Sequence, residues 1–151
     1  MDELDARINL ENYLYTQITL TKSMGIQAKH VSKDKILLSA PIEYNYNHIK
    51  TAFGGSLYIV ATLACWSLLH VNLQERYPSA QIVIHHSHVE YPAPIKNDFQ
   101  ALCLTPEAPI WERFFLLLEK KHKARILLHA KIYQEGILAV DYQGSFVVIN
   151  P

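Results

Sequence analysis

The sequence predicts an α+β protein in which an antiparallel sheet wraps one long buried helix, and three observations carry that expectation. No residue between Lys50 and Glu75 bears a formal charge. A helix through that stretch is apolar on nearly every side and has to be enclosed by other elements. Two strand-like runs precede it and about four follow it. Strands and helices do not alternate regularly, which excludes a doubly wound parallel sheet.

The chain of 151 residues reads as a single domain over 1–151, long enough to bury a core without disulfides or metal. Lys plus Arg number 14 and Asp plus Glu number 14, so there is no electrostatic footprint for nucleic acid. Cys65 and Cys103, the two cysteines, read as small buried hydrophobes rather than a redox pair. The N-terminus, Met-Asp-Glu-Leu-Asp-Ala-Arg, is acidic where a signal peptide is basic, and the expected location is the cytoplasm. The uncharged stretch is long enough to cross a bilayer. Ser56, Thr62, Ser67, His70 and the paired glycines argue instead for the core of a protein without a membrane span.

In chain order, Leu4, Ile8, Tyr15 and Ile18 recur at helical spacing, with a stop at Met24-Gly25 where glycine supplies a C-terminal cap. Ile26–Val31 and Lys35–Ile42 read as strands around the turn Ser32-Lys33-Asp34. The apolar helix is expected to end near Tyr77-Pro78. Strands are expected over Ala80–Tyr91, Asp98–Leu104, Arg125–Gln134 and Ile137–Ile149, with a tight hairpin at Glu135-Gly136. Ile110–Lys120 fits either a helix or a strand. A helix apolar all round needs more cover than one sheet face provides, which predicts a homodimer or a tetramer.

The candidate site is the loop Asn45-Tyr-Asn47-His48-Ile-Lys-Thr51-Ala-Phe53 running into Gly54-Gly55-Ser56. Glycines ahead of a helix leave its first amides open to a ligand, at the positive end of the helix dipole. Such amides suit an anion, or an oxygen that becomes one. Ser56 is expected to cap the helix and Thr51 to orient the loop. His48 is a loop histidine that reads as solvated or as a substrate contact. His85-His86-x-His88 lacks a full ligand set for metal, and no metal or cofactor is expected. The run Lys120-Lys121-His122-Lys123-x-Arg125 reads as a solvated turn or as a dock for an acidic carrier protein or a coenzyme A phosphate.

The motif Asn45-x-Asn47-x-x-x-Thr51-x-Phe53-Gly54-Gly55-Ser56-Leu57, with Ala61-Thr62-Leu63-Ala64-Cys65-Trp66 after it, resembles the hot-dog fold thioesterase superfamily. More narrowly it is similar to the family of the YiiD C-terminal domain. Leu20–Gly25 and His88-Val89-Glu90-Tyr91-x-x-Pro94 support the resemblance, and Lys50 stands where that family pattern leads us to expect glycine. The resemblance implies an antiparallel sheet around a central helix and an acyl-carrier-protein or coenzyme A thioester as substrate. Related thioesterases place a histidine before the glycine pair and an aspartate two turns later. Here Phe53 and Thr62 hold those places, so the carbonyl-binding donors are kept and the carboxylate is gone.

Hydrolysis needs a general base or a nucleophile, and Thr62 has no partner on its helix to make it one. Decarboxylating a malonyl thioester asks only that the developing enolate oxygen be stabilised. Members of the narrower family are implicated in converting malonyl- to acetyl-acyl carrier protein for the start of fatty-acid synthesis. The expected reaction is therefore malonyl-thioester decarboxylation, with Asn47 or Asn45 and the Gly55 amide polarising the carbonyl. Thr51, Phe53, Gly54, Ser56, Thr62 and His48 are the expected substrate contacts. An apolar pocket beneath, from Phe53, Leu57 and Val60, would strip water from the departing carboxylate. The alternative is a thioesterase whose carboxylate is Glu90 or Asp98, brought from elsewhere or from a facing subunit. A third reading is a non-catalytic acyl-binding module.

Overall fold

The computed structural model describes residues 2–151. Helix α1 (Glu3–Gln17) and a single turn, α2 (Leu20–Ser23), precede β1 (Gln27–Val31) and β2 (Lys35–Ala40). A 3-10 turn (Ile42–Tyr44) and the candidate loop then lead into α3 (Gly54–Leu73). After it come β3 (Gln81–Glu90), β4 (Phe99–Leu104), α4 (Ala108–Lys121), β5 (Lys123–Gln134) and β6 (Ile137–Ile149). The strands form one sheet in the order β1-β2-β4-β5-β6-β3, antiparallel at every pairing. The sheet wraps α3, which packs against β2, β4, β5 and β6. This is the fold class the sequence predicts.

Burial explains why α3 sits at the centre. Val60, Ala61, Ala64, Cys65, Leu68 and Leu69 lose all solvent exposure, and each large aliphatic among them contributes about 1.5–3 kcal/mol on burial. The helix is long and apolar enough to cross a membrane, yet 67% of its apolar window is buried inside the protein. Cys65 and Cys103 are free and buried. Burial, with Cys103 beside it, pushes the Cys65 thiol well up, so it stays a neutral packing group.

Several boundaries differ from the expectation. The N-terminal helix ends at Gln17 and a separate turn follows, with Gly25 at φ +71° beyond it. A Cβ on Gly25 would come within 3.0 Å of Pro41 and Tyr44. Helix α3 stops at Leu73, four residues before Tyr77, although the Tyr77 amide still reaches the Leu73 carbonyl at 2.7 Å. The ambiguous run is a helix, α4, with Pro109 in its first turn, where its missing N–H costs nothing. Phe114 and Leu118 lie buried one turn apart. The hairpin forms as expected, with Glu135 at φ +51° and Gly136 at φ +79°, the two positive angles a type I′ turn demands.

The two edges of the sheet differ. Strand β1 is covered by α1, whereas β3 is a ten-residue edge with Val83 50% and Ile84 41% exposed. Its register against β6 shifts between Ile84 and His86, a bulge that inserts one extra residue. Ile82 and Ile84 pair with buried Val148 and Phe146; beyond the bulge, Ser87 and Val89 pair with Gly144 and buried Tyr142. The bulge thus places Ser87 and Val89 on the helix-facing side, and His86, His88 and Glu90 on the outer side. One stripe of α3, through Gly55, Tyr58, Thr62, Trp66 and His70, is only half-buried.

Candidate active site

The candidate loop is closed by its asparagines. The Asn47 Oδ1 accepts the amides of Ile49 and Thr51 at 3.0 Å each, and its Nδ2 donates to the Thr51 Oγ1 at 2.7 Å. This is the self-bonding turn that asparagine favours. Thr51 meets the Asn47 side chain through both its amide and its hydroxyl. Lys50, where the resemblance leads us to expect glycine, adopts φ +63°, and its ammonium lies 5.1 Å from the Tyr46 ring centroid. The position does require a left-handed residue, and lysine holds it at a cost of about 1–2 kcal/mol. Asn45 is buried and gives both amide hydrogens to main-chain carbonyls, Met24 at 3.0 Å and Pro41 at 2.7 Å. Its Oδ1 has no partner among the described residues. His48 is exposed.

The loop delivers Phe53 as the residue before α3, its amide held by the Asn45 carbonyl at 2.8 Å. The first helical amide to reach a carbonyl is that of Leu57, to Phe53 at 3.1 Å. Those of Gly54, Gly55 and Ser56 precede it and have no acceptor within the helix. Ser56 does not cap the helix as expected: the cap position belongs to Phe53, no side chain bonds there, and Ser56 is tucked into the interior. A Cβ on Gly55 would run into the Phe53 ring, so glycine lets that ring lie beside the open amides. The Tyr91 hydroxyl donates to the Gly54 carbonyl at 3.1 Å.

The three residues expected to line an apolar pocket beneath the loop face different surroundings. Leu57 and Val60 point into the core, and Phe53 is 55% exposed. The open side of the helix start carries hydroxyls instead. The Tyr58 Oη and Ser87 Oγ stand 2.7 Å apart, and Thr62 donates from its Oγ1 to the Tyr142 Oη at 3.0 Å. Tyr58 meets Tyr142 edge-on, with ring centroids 5.6 Å apart and planes at 73°. Gly144 makes this possible, because a Cβ there would stand 2.6 Å from the Tyr142 hydroxyl and 2.8 Å from the Phe146 ring. Burial raises the pKa of Tyr142 well beyond that of an ordinary phenol; burial, then neighbouring Tyr58, raises that of Tyr91. Both remain neutral donors at physiological pH. Nothing in the sequence pattern gave these tyrosines a role at the site.

Carboxylates and imidazoles lie elsewhere. Glu90 is exposed on the outer face, 3.3 Å from the His88 Nε2, a neighbour the spacing of the histidines did not suggest. Asp98 accepts the Ile42 amide at 2.9 Å. Neither stands beside Thr62 within one chain. Among the described residues no group of three His, Cys, Asp or Glu side chains could hold a metal. A concavity of about 720 Å³ lies between α1, the β1–β2 turn and the far end of α3, lined by Leu10, Tyr13, His30, Val31, His70 and Glu75 among others. It is about 22 Å along the helix from Gly55. Volume and chemistry therefore do not coincide, and the open amides place the candidate site at the glycine end.

This arrangement, an antiparallel sheet around a helix that starts at an asparagine-closed glycine loop, defines the hot-dog fold of the thioesterases. The chain is similar to a Chlorobaculum tepidum protein of unknown function, at 30% identity over 96% of this chain and 94% of that one, with a TM-score of 0.89. A thioesterase-described structure from Shewanella oneidensis matches at 22% identity over 96% and 98% of the two chains, TM-score 0.82. A Pseudomonas aeruginosa protein of unknown function, called a "Probable Thioesterase", matches at 17% over 95% and 96%, TM-score 0.82. The family described as "Putative thioesterase (yiiD_Cterm)" matches residues 7–150. The chain belongs to that family.

Proposed function

We propose that the protein binds an acyl thioester with its carbonyl oxygen at the α3 amides, and that it decarboxylates the malonyl thioester of acyl carrier protein to the acetyl thioester. One observation carries the reading: among the described residues Thr62 bonds the neutral Tyr142 hydroxyl, and the titratable groups that bear on that hydroxyl are Cys65, Tyr58 and Cys103, with no carboxylate or imidazole. In decarboxylation the bond to the carboxylate breaks, carbon dioxide leaves, and the electron pair delocalises onto the carbonyl oxygen as an enolate. The α-carbon then takes a proton from water. Donors fixed in advance for that oxygen are the main requirement. The Gly55 amide supplies one. Asn47 has a second amide hydrogen with no partner among the described residues, and can supply another. Asn45 reaches a substrate only by releasing Met24 or Pro41.

The bare β3 edge and the half-buried stripe of α3 support a homodimer. An edge strand this long and exposed is a template for pairing, and a second copy covers both surfaces at once. Hydrolysis is the second reading, favoured by the description of the family; a carboxylate from the partner would supply its base. The test is to incubate the protein with malonyl-acyl carrier protein, malonyl-coenzyme A and long-chain acyl thioesters, following carbon dioxide and free thiol separately. Carbon dioxide without thiol is expected. Thiol without carbon dioxide overturns decarboxylation in favour of hydrolysis.

A further inference from the structure

We propose that Tyr58, with Ser87 behind it, is a side-chain donor that acts with the Gly55 amide, beside Asn47, in holding the thioester oxygen; the assignment rests on the thioester reading above. Position comes first. Tyr58 lies three residues past Gly55, on the same face of α3. Side chains on a helix lean toward its N-terminus, which is the direction from Tyr58 to the turn whose amides are open. No side chain at Gly54 or Gly55 stands in its way.

Besides the Asn47 amide, whose second hydrogen is free among the described residues, elimination leaves Tyr58 among the hydroxyl and amide groups near the helix start. The Tyr91 hydroxyl donates to the Gly54 carbonyl. The Tyr142 hydroxyl is fully enclosed and accepts from Thr62. Asn45 has both amide hydrogens engaged. Tyr58 is half-buried and therefore reachable. Its one polar contact is the Ser87 Oγ at 2.7 Å, where either oxygen can donate. When Ser87 donates, the phenolic hydrogen of Tyr58 is free for the substrate. The hydroxyl is also held in place: the edge-on contact with Tyr142 fixes its ring, and Thr62 and Gly144 fix Tyr142. A donor positioned before reaction reorganises little as charge develops. The bulge in β3 is what brings Ser87 to the helix-facing side. A phenol and an amide on one oxygen serve an enolate and a tetrahedral intermediate alike, and neither step requires Tyr58 to give up its proton.

The experiment compares the full-length wild type with Tyr58→Phe and Ser87→Ala, measuring carbon dioxide and thiol from malonyl-acyl carrier protein and malonyl-coenzyme A. Tyr58→Phe keeps the ring and its contact with Tyr142. It is expected to fold with an unchanged circular dichroism spectrum and to lower kcat by about 10²–10³, leaving KM within about threefold. Ser87→Ala keeps the phenol and is expected to lower kcat by a smaller factor. A Tyr58→Phe protein within about threefold of wild-type kcat overturns the assignment. Equal losses in both variants, accompanied by a raised KM, also overturn it, because they mark a pair that only shapes the pocket. Should the wild type release thiol and no carbon dioxide, decarboxylation falls; the same comparison on thiol release still decides the role of Tyr58.

Discussion

Replacing Gly144 by alanine tests the packing on which the hydroxyl cluster depends. The new methyl would stand 2.6 Å from the Tyr142 hydroxyl and 2.8 Å from the Phe146 ring, both in side chains with no solvent exposure. Neither ring can swing outward, so they or the strand must shift. Overpacking of this kind costs about 1–3 kcal/mol, and loss of the Thr62–Tyr142 hydrogen bond adds about 0.5–1.5 kcal/mol. Alanine recovers about 0.5–1 kcal/mol of the backbone entropy that glycine loses in a strand. The net is a destabilisation of about 0.5–4 kcal/mol, which for a chain of this size lowers Tm by about 1–16 °C. Calorimetry of Gly144→Ala, Tyr142→Phe and the double variant closes a cycle. Removing the hydroxyl removes the 2.6 Å contact, so the double variant should lose less than the sum of the singles. A Gly144→Ala protein within 1 °C of wild type refutes the close packing. So does strict additivity.

Burial holds the His70 pKa below its ordinary 6.5, and Tyr13 and Trp66 lie against its ring. The imidazole is neutral in both states above that value. As pH falls through it, the unfolded chain takes up the proton first, so His70 withdraws stability until the folded pKa is passed. Urea midpoints should therefore drop between pH 7.5 and 5.5, less steeply in His70→Phe, and equal slopes would count against the buried imidazole. Asn45→Ala removes two buried hydrogen bonds and should cost about 1–3 kcal/mol. Asn47→Ala opens the loop at a half-buried site, less enclosed than that of Asn45, so its chemical-denaturation midpoint should move less while activity falls at least as far; the reverse ranking would contradict the roles given to them. If the proposed homodimer pairs through β3, Val83→Lys with Ile84→Lys should convert it to monomer in sedimentation runs, and a dimer that survives both charges does not form through β3.

Element order was legible because it depends on local chemistry. Glu135-Gly136 demanded a tight hairpin, Gly25 a left-handed turn, and the uncharged run after Lys50 a central helix. The α4 segment was ambiguous because Phe114 to Leu118 is apolar over too short a span for periodicity to choose. Ser56 looked like a cap, but the loop brings Phe53 to the cap position and leaves serine inside the first turn. Much of the candidate site was illegible for a different reason. Thr62 meets Tyr142 across 80 positions and Tyr58 meets Ser87 across 29, and no periodicity announces either pair. The loop was readable as a donor-rich helix start, yet which asparagine hydrogens were engaged depended on carbonyls at Met24 and Pro41.

The extra residue in β3 also decides which chemistry faces Thr62. Side chains on a strand alternate with a period of two, so a one-position offset exchanges the two faces. With the offset at His85, Ser87 and Val89 look inward while His86, His88 and Glu90 look outward. Were the same extra residue carried beyond Tyr91, two imidazoles and a carboxylate would turn toward the helix in place of a hydroxyl and a valine. A proton-neutral face and an acid–base one are thus separated, on this scaffold, by the address of a single amino acid.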